Sequence, residues 1–199
     1  MLIDISRTLD ETTAVFPGDV SFSRTVTMSR AQGDSCDVTA FTASAHAGTH
    51  VDLPKHFADR LPDPPLAAYV GPAVVIAVDD WPEVTRRSIR RGLRVLFKTR
   101  NSDADYREFD DAFSCISKDA VAWLIKSGAV LAGVDGPSVD PADSKSLDNH
   151  HALALAGIAI LENLELSRAE QGEYELIALP LRIPGADATW VRAVLRRLA

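Results

Sequence analysis

The chain is poor in several residues that carry chemistry. Of its 199 residues only two are cysteines, Cys36 and Cys115, far apart and outside any C-x-x-C pair. That excludes a disulfide framework, and it leads us to expect a reducing, cytoplasmic setting. No G-x-S-x-G elbow occurs, which argues against a serine hydrolase, and no G-x-G-x-x-G or P-loop marks a nucleotide site. The longest apolar runs, such as "YVGPAVVIAV" (69–78), fall far short of the ~20 residues that cross a bilayer. The opening "MLIDISRTLDE" has no basic region ahead of an apolar stretch, so no secretory signal is expected. Positive charge is also in deficit: 21 Lys and Arg face 28 Asp and Glu, a net charge of -7. Nucleic acid and anionic membrane favour basic surfaces, so neither is an expected partner, and a small molecule is.

What remains is ordinary for a globular chain. A hydrophobic fraction of 46% and a charged fraction of 25% allow a real core. The length fits one domain over 1–199. "LIDIS" alternates, "FPGD" (16–19) is a turn, and "SFSRTVTMS" and "VTAFTASAH" (38–46) read as strands. "AVVIAVDDW", "VLFKT" (95–99), "AVLAGVD" and "IAILENL" are apolar runs of buried-strand length. "YELIALPLRI" reads as a last strand before a tail, "ATWVRAVLRRL". Between them lie helix candidates: "EVTRRSIRRGLR", "SKDAVAWLIKSG" (117–128) with Ser117 as N-cap and Gly128 at its end, and "SLDNHHALALAG", ending at Gly157. The pattern predicts an α/β domain with a mixed, mostly β core. In "RRSIRRGLRVLFKTR" (86–100) the spacing would place Arg86, Arg90 and Arg94 on one helical face. With no interleaved aromatics and a negative chain, that face reads as solvated rather than as a nucleic-acid grip.

Histidine is scarce too, with five in the chain, yet all five fall in two places. His46, His50 and His56 share "HAGTHVDLPKH" with Asp52; His150 and His151 are adjacent. Imidazole and carboxylate together suit Zn²⁺, Mn²⁺ or Fe²⁺. A helix would put His46 and His50 on one face, but Gly48, Thr49, Val51 and Pro54 disfavour it. A straight strand would separate them by about 13 Å, too far for one metal. A bend at Gly48 closes the gap, so the stretch is expected to be a kinked strand end presenting His46, His50 and Asp52 to a common point. In the second cluster Asp148 can cap a short helix. His150 then lies in its first turn, where the helix dipole favours neutral imidazole. Glu162, at the end of an apolar strand, is costly there unless paired or metal-bound. The inventory suits two metals bridged by Asp52, with His56 left free for proton transfer.

"HAGTHVDLPKHF" resembles the H-x-G-T-H-x-D-x-P-x-H-F signature of the metal-dependent cyclase-like hydrolases, the family that contains bacterial kynurenine formamidase. "DIS", "FPGD", "YVGPAVVI", "VLFKTRN", "GVDGPSVDPADSKSLDNHHAL", "ILENL" and "YELIALPLRIPGADATWVRAVL" extend the resemblance along most of the chain. The resemblance implies a swivelling β/β/α fold and a site commonly holding two zinc ions, with manganese as the substitute. It implies that His46, His50 and Asp52 hold one ion, that Asp52, His150 and Glu162 hold the other, and that His56 is catalytic. It further implies hydrolysis of the aryl formamide of N-formylkynurenine to kynurenine and formate, a step of tryptophan degradation, in a homodimer or larger homo-oligomer. Phe16 and Phe57 are candidate walls for an aromatic substrate. The alternatives are a relative acting on a cyclic amide, as isatin hydrolases do, or another acyl substrate, and a metal-binding protein without turnover.

Overall fold

The computed structural model describes residues 1–198. Its strands are β1 (Leu2–Asp4), β2 (Ser23–Met28), β3 (Val38–Thr42), β4 (His50–Asp52), β5 (Val70–Ala77), β6 (Arg94–Lys98), β7 (Leu131–Val134), β8 (Ala159–Glu162), β9 (Gly172–Ile177), β10 (Ala188–Trp190) and β11 (Val194–Arg197). Three α-helices join them: α1 (Trp81–Thr85), α2 (Lys118–Ser127) and α3 (Asp148–Leu155). Nine strands form one mixed sheet in the order β1-β11-β9-β5-β6-β7-β8-β4-β10, and β2 and β3 form a separate ribbon. The expected α/β class with a mostly β core is what the chain adopts.

The centre of the sheet follows from the apolar runs. β5, β6, β7 and β8 are parallel neighbours, and α1, α2 and α3 are the crossovers between them. Strands covered on both faces need apolar residues on both, which is why they read as unbroken hydrophobic runs. Alternate side chains serve two cores. Val95, Phe97, Ala132, Val134 and Ile160 face the helices. Leu96, Leu131, Leu161 and Leu176 face the other way and meet Ile3, Val51 and Leu195. Residues from both ends of the sheet share that second core, so the sheet is curled round it.

Helix α2 is bounded as its sequence implies. Ser117 Oγ accepts from the Ala120 amide, and Gly128 closes the helix at φ 69°. Elsewhere the expectations need correction. The helix anticipated over "EVTRRSIRRGLR" is one short turn that stops at Thr85. Arg94 is instead the buried first residue of β6, where its guanidinium donates to the carbonyls of Ala68, Ala67 and Gly92. A triple-arginine face therefore does not form; tertiary burial of Arg94 outweighs local helix preference. The supposed tail "ATWVRAVLRRL" contributes β10 and β11, which pair with β4 and β9 on opposite sides of the sheet. Strands this short carry too little alternation to be seen in sequence. Among the described residues no helix is long and apolar enough to cross a membrane.

Candidate metal centre

Strand pairing assembles the first part of the site. β4 lies between β8 and β10, with His50 opposite Glu162 and Asp52 opposite Ile160. Cross-strand partners share a face, as do residues two apart on one strand, so His50, Asp52 and Glu162 come together. Ile160 faces the helices, which puts the three polar groups on that same side of the sheet. Val51 and Leu161, one residue off, face the other core. His50, Asp52 and Glu162 are all buried.

His46 arrives by a turn rather than along a strand. Gly48 has φ 68°, a left-handed conformation that glycine takes without strain, and its carbonyl accepts from His50 Nδ1 at 2.9 Å. The reversal brings His46 Nδ1 to 3.2 Å from His50 Nε2 and 3.1 Å from Asp52 Oδ1. The bend expected at Gly48 is thus present. From the opposite direction α3 supplies His150, whose Nε2 lies 3.0 Å from Asp52 Oδ2 and 3.5 Å from Glu162 Oε1. Asp52 therefore turns one oxygen toward His46 and His50 and the other toward His150. His56, at the end of the 3-10 turn Pro54–His56, packs against His46 with ring centroids 4.3 Å apart and the planes tilted by 46°.

Two corrections belong to α3. Asp148 does not cap it: the N-cap is Leu147, at φ 48°, and Asp148 pairs with Lys118 at the surface. The acceptor at this helix start is Asp140, whose carboxylate takes the amides of Asn149 and His150. Nor does the dipole decide the state of His150. Burial lowers its pKa, but Asp140, Asp52 and Glu162 outweigh burial and push it up to about 12. His50 follows the same logic: burial opposes charge, and Asp52 and Glu162 raise it to about 10. Full carboxylate charges at 3.0–3.5 Å exceed the half-charge of a helix end.

Such a cluster demands cations. Asp52 Oδ1 and His46 Nε2 are buried without hydrogen-bond partners, which is expensive unless another group satisfies them. Donor atoms of His46, Asp52 and His56 lie within 4.8 Å of one another, as do those of His50, Asp52 and Glu162. Both sets contain Asp52, and their mixed nitrogen and oxygen character suits a borderline divalent ion such as zinc. The residues present fit bound divalent metal.

A cavity of about 420 Å³ opens over this cluster. His46, His56, His150 and Glu162 reach it, and Phe16 walls it with Phe109, in edge-to-face contact at 5.0 Å. Phe57 packs behind His150, with centroids 5.4 Å apart, against the helix-side core. His151 packs edge-to-face on Phe57 at 5.4 Å and belongs to neither the donor sets nor the cavity lining. Sequence reasoning missed Phe109, Asp140 and Asp187. Asp187 lines the cavity with Oδ2 3.4 Å from His46 Nε2. These three sit in loops without periodicity, and only the fold brings them to the site.

Residues 3–141 match the Cyclase family model. Kynurenine formamidase from Salinibacter ruber is 44% identical over 205 residues, covering 98% of this chain and 97% of that protein. A solved structure described as a predicted metal-dependent hydrolase from Bacillus stearothermophilus superposes with a TM-score of 0.84 at 26% identity, over 98% of this chain and 97% of the other. Isatin hydrolase A from Labrenzia aggregata shares the fold, with a TM-score of 0.82 at 22% identity over 98% and 93% of the two chains. With these relatives and the His46, His50, Asp52, His150 and Glu162 cluster in view, the chain belongs to the cyclase family of metal-dependent hydrolases.

Proposed function

We propose that the protein is an arylformamidase that hydrolyses N-formylkynurenine to kynurenine and formate, a step of tryptophan degradation. The observation that carries this reading is 44% identity to a kynurenine formamidase over nearly the whole length of both chains. We assign His46, His50 and Asp52 to one zinc ion and Asp52, His150 and Glu162 to a second, with Mn²⁺ as a workable substitute. When bound, such ions supply Lewis acidity toward a carbonyl oxygen and make water a better nucleophile at neutral pH.

The protein's own groups handle the proton. Burial lowers the pKa of His56; Asp52 opposes that, while His46 and His150 lower it further, so the imidazole is neutral at pH 7. Neutral His56 accepts the proton of the water that attacks the formyl carbon. The C–N bond then breaks, and His56 returns the proton to the departing aniline nitrogen, leaving formate and the free amine. His56 also lies near His46 and Asp52, but it is the exposed histidine of the group and lines the cavity, which favours proton transfer over ligation. Phe16 and Phe109 offer an apolar wall for the aryl ring, and Phe57 supports His150 from behind.

Two further assignments complete the reading. The free Cys36 and Cys115 fit a cytoplasmic enzyme. We also assign a homodimer: the β2–β3 ribbon leaves Val26 64% and Phe41 57% exposed, and a lone two-stranded ribbon is marginal in water. The deciding experiment is hydrolysis of N-formylkynurenine by zinc-loaded protein beside a chelated control. Turnover lost on chelation is expected. Bound metal without turnover of this substrate, but with opening of isatin, would move the substrate to a cyclic amide.

A further inference from the structure

Residues Val139 and Asp140 lie in the loop between β7 and α3, outside the ligand set, yet each holds a ligand. The Val139 amide donates to Glu162 Oε1 at 2.7 Å. Asp140 Oδ2 lies 2.7 Å from His150 Nδ1 and also accepts from the His150 amide at 3.1 Å. Asp140 Oδ1 accepts from the Asn149 amide at 3.0 Å. The loop is itself anchored, because Asn149 Nδ2 donates to the carbonyls of Val139 and Ile116, both at 2.8 Å. Asp140 is buried, so these hydrogen bonds do not compete with bulk water.

We infer that Asp140 is a positioning residue for the second metal site: its carboxylate holds the Nδ1 proton of His150, so that Nε2, beside Asp52 and Glu162, is the nitrogen that gives up its proton to a metal and becomes the donor. This rests on the assignment of His150 as a ligand. An imidazole has two tautomers, and only the nitrogen without a proton can coordinate. A carboxylate behind the ring selects the tautomer, fixes the ring plane and makes the ligand more basic. The same carboxylate caps α3, so the helix start and the ligand are set by one group. His50 obtains the same arrangement from the Gly48 carbonyl on its Nδ1, a neutral acceptor in place of a charged one.

The test is a metal-affinity cycle with zinc and a competing chelator at fixed pH, using wild type, D140N, H150A and the double variant. Removal of such a partner weakens binding by roughly 10- to 100-fold. D140N is expected to show that loss for one of two ions and to shift the visible spectrum of the cobalt-substituted protein. In the H150A background it should add nothing, since its only route to the metal is gone. Unchanged affinity in D140N, or an undiminished further loss in the double variant, overturns the proposal. D140S separates capping from positioning, because its hydroxyl can still accept at a helix start but is too short for the ring. Full affinity in D140S would reduce Asp140 to a cap. Metal binding is read without turnover, so failure of the formamidase reading alone leaves these outcomes unchanged.

Discussion

Asp52 presents Oδ1 to His46 and His50 at 3.1 and 3.3 Å and Oδ2 to His150 at 3.0 Å, so one substitution touches both halves of the site. Asp52→Ala should lose both metals; elemental analysis finding two ions per chain in that variant would refute the bridging assignment. His56 makes a different prediction. Its pKa lies below the usual 6.5 because of burial, against Asp52 and helped by His46 and His150. A depressed imidazole is neutral above its pKa, so activity should be full at neutral pH and fall as pH drops through a value below 6.5. A nearby divalent cation pushes the same way. His56→Ala should keep its metal and lose about 10²- to 10⁴-fold in kcat, together with that acid limb. A variant whose pH profile and rate match wild type would remove His56 from the mechanism.

Among the elements, the turn before β4 is the most exacting. Gly48 sits at φ 68°, and a Cβ there would stand 3.4 Å from Leu9 Cδ1, an ordinary contact. Space is therefore available, and the cost of Gly48→Ala comes from backbone strain, about 1 kcal/mol or more. We expect a lower denaturation midpoint and, because His46 is carried by the same turn, weaker metal retention under chelator. Loss of stability with unchanged metal retention would mean that His46 adjusts independently of the turn. Helix α2 offers a contrast. Ser117→Ala removes one cap and should cost about 1 kcal/mol, read from urea unfolding, while the metal content stays at the wild-type value. The Gly48 turn and the Ser117 cap were both visible in sequence, because glycine and serine have local reasons to be where they are. The truncated helix at Thr85 and the strands β10 and β11 were not, because burial of Arg94 and pairing across the sheet are long-range effects.

For the whole molecule, the proposed assignment of His50, Asp52, His150 and Glu162 as ligands ties folding to cation binding. In metal-free protein the imidazoles of His50 and His150 hold protons, with pKa values raised to about 10 and about 12. A raised imidazole stabilises the fold fully below its unfolded value near 6.5, and that contribution disappears as pH rises through the folded value. Metal-free protein should therefore lose stability progressively between about pH 6.5 and about pH 12, with the His50 share gone by about pH 10, and the metal-loaded form should not. Binding must also displace these protons. Calorimetry at pH 7 in buffers of different ionisation enthalpy should show proton release on zinc binding. Zero net release would mean the histidines are already neutral, contrary to the charge arrangement of the cluster.

The sequence by itself determined the donor types gathered at the candidate site and the strands in the middle of its sheet. The spacing His46, His50, Asp52, His56 with a glycine inside it admits few uses other than a metal, and four apolar runs of strand length leave little choice but buried strands; that these pair in parallel is seen only in the fold. Local preference and periodicity act within a few residues, and these features are local. Tertiary structure decided which partners meet. His150 reaches Asp52 from 98 residues away, Glu162 faces His50 through strand register, and Asp140 replaces Asp148 at the start of α3. Those contacts depend on the curl and order of the sheet, which no short stretch of sequence encodes.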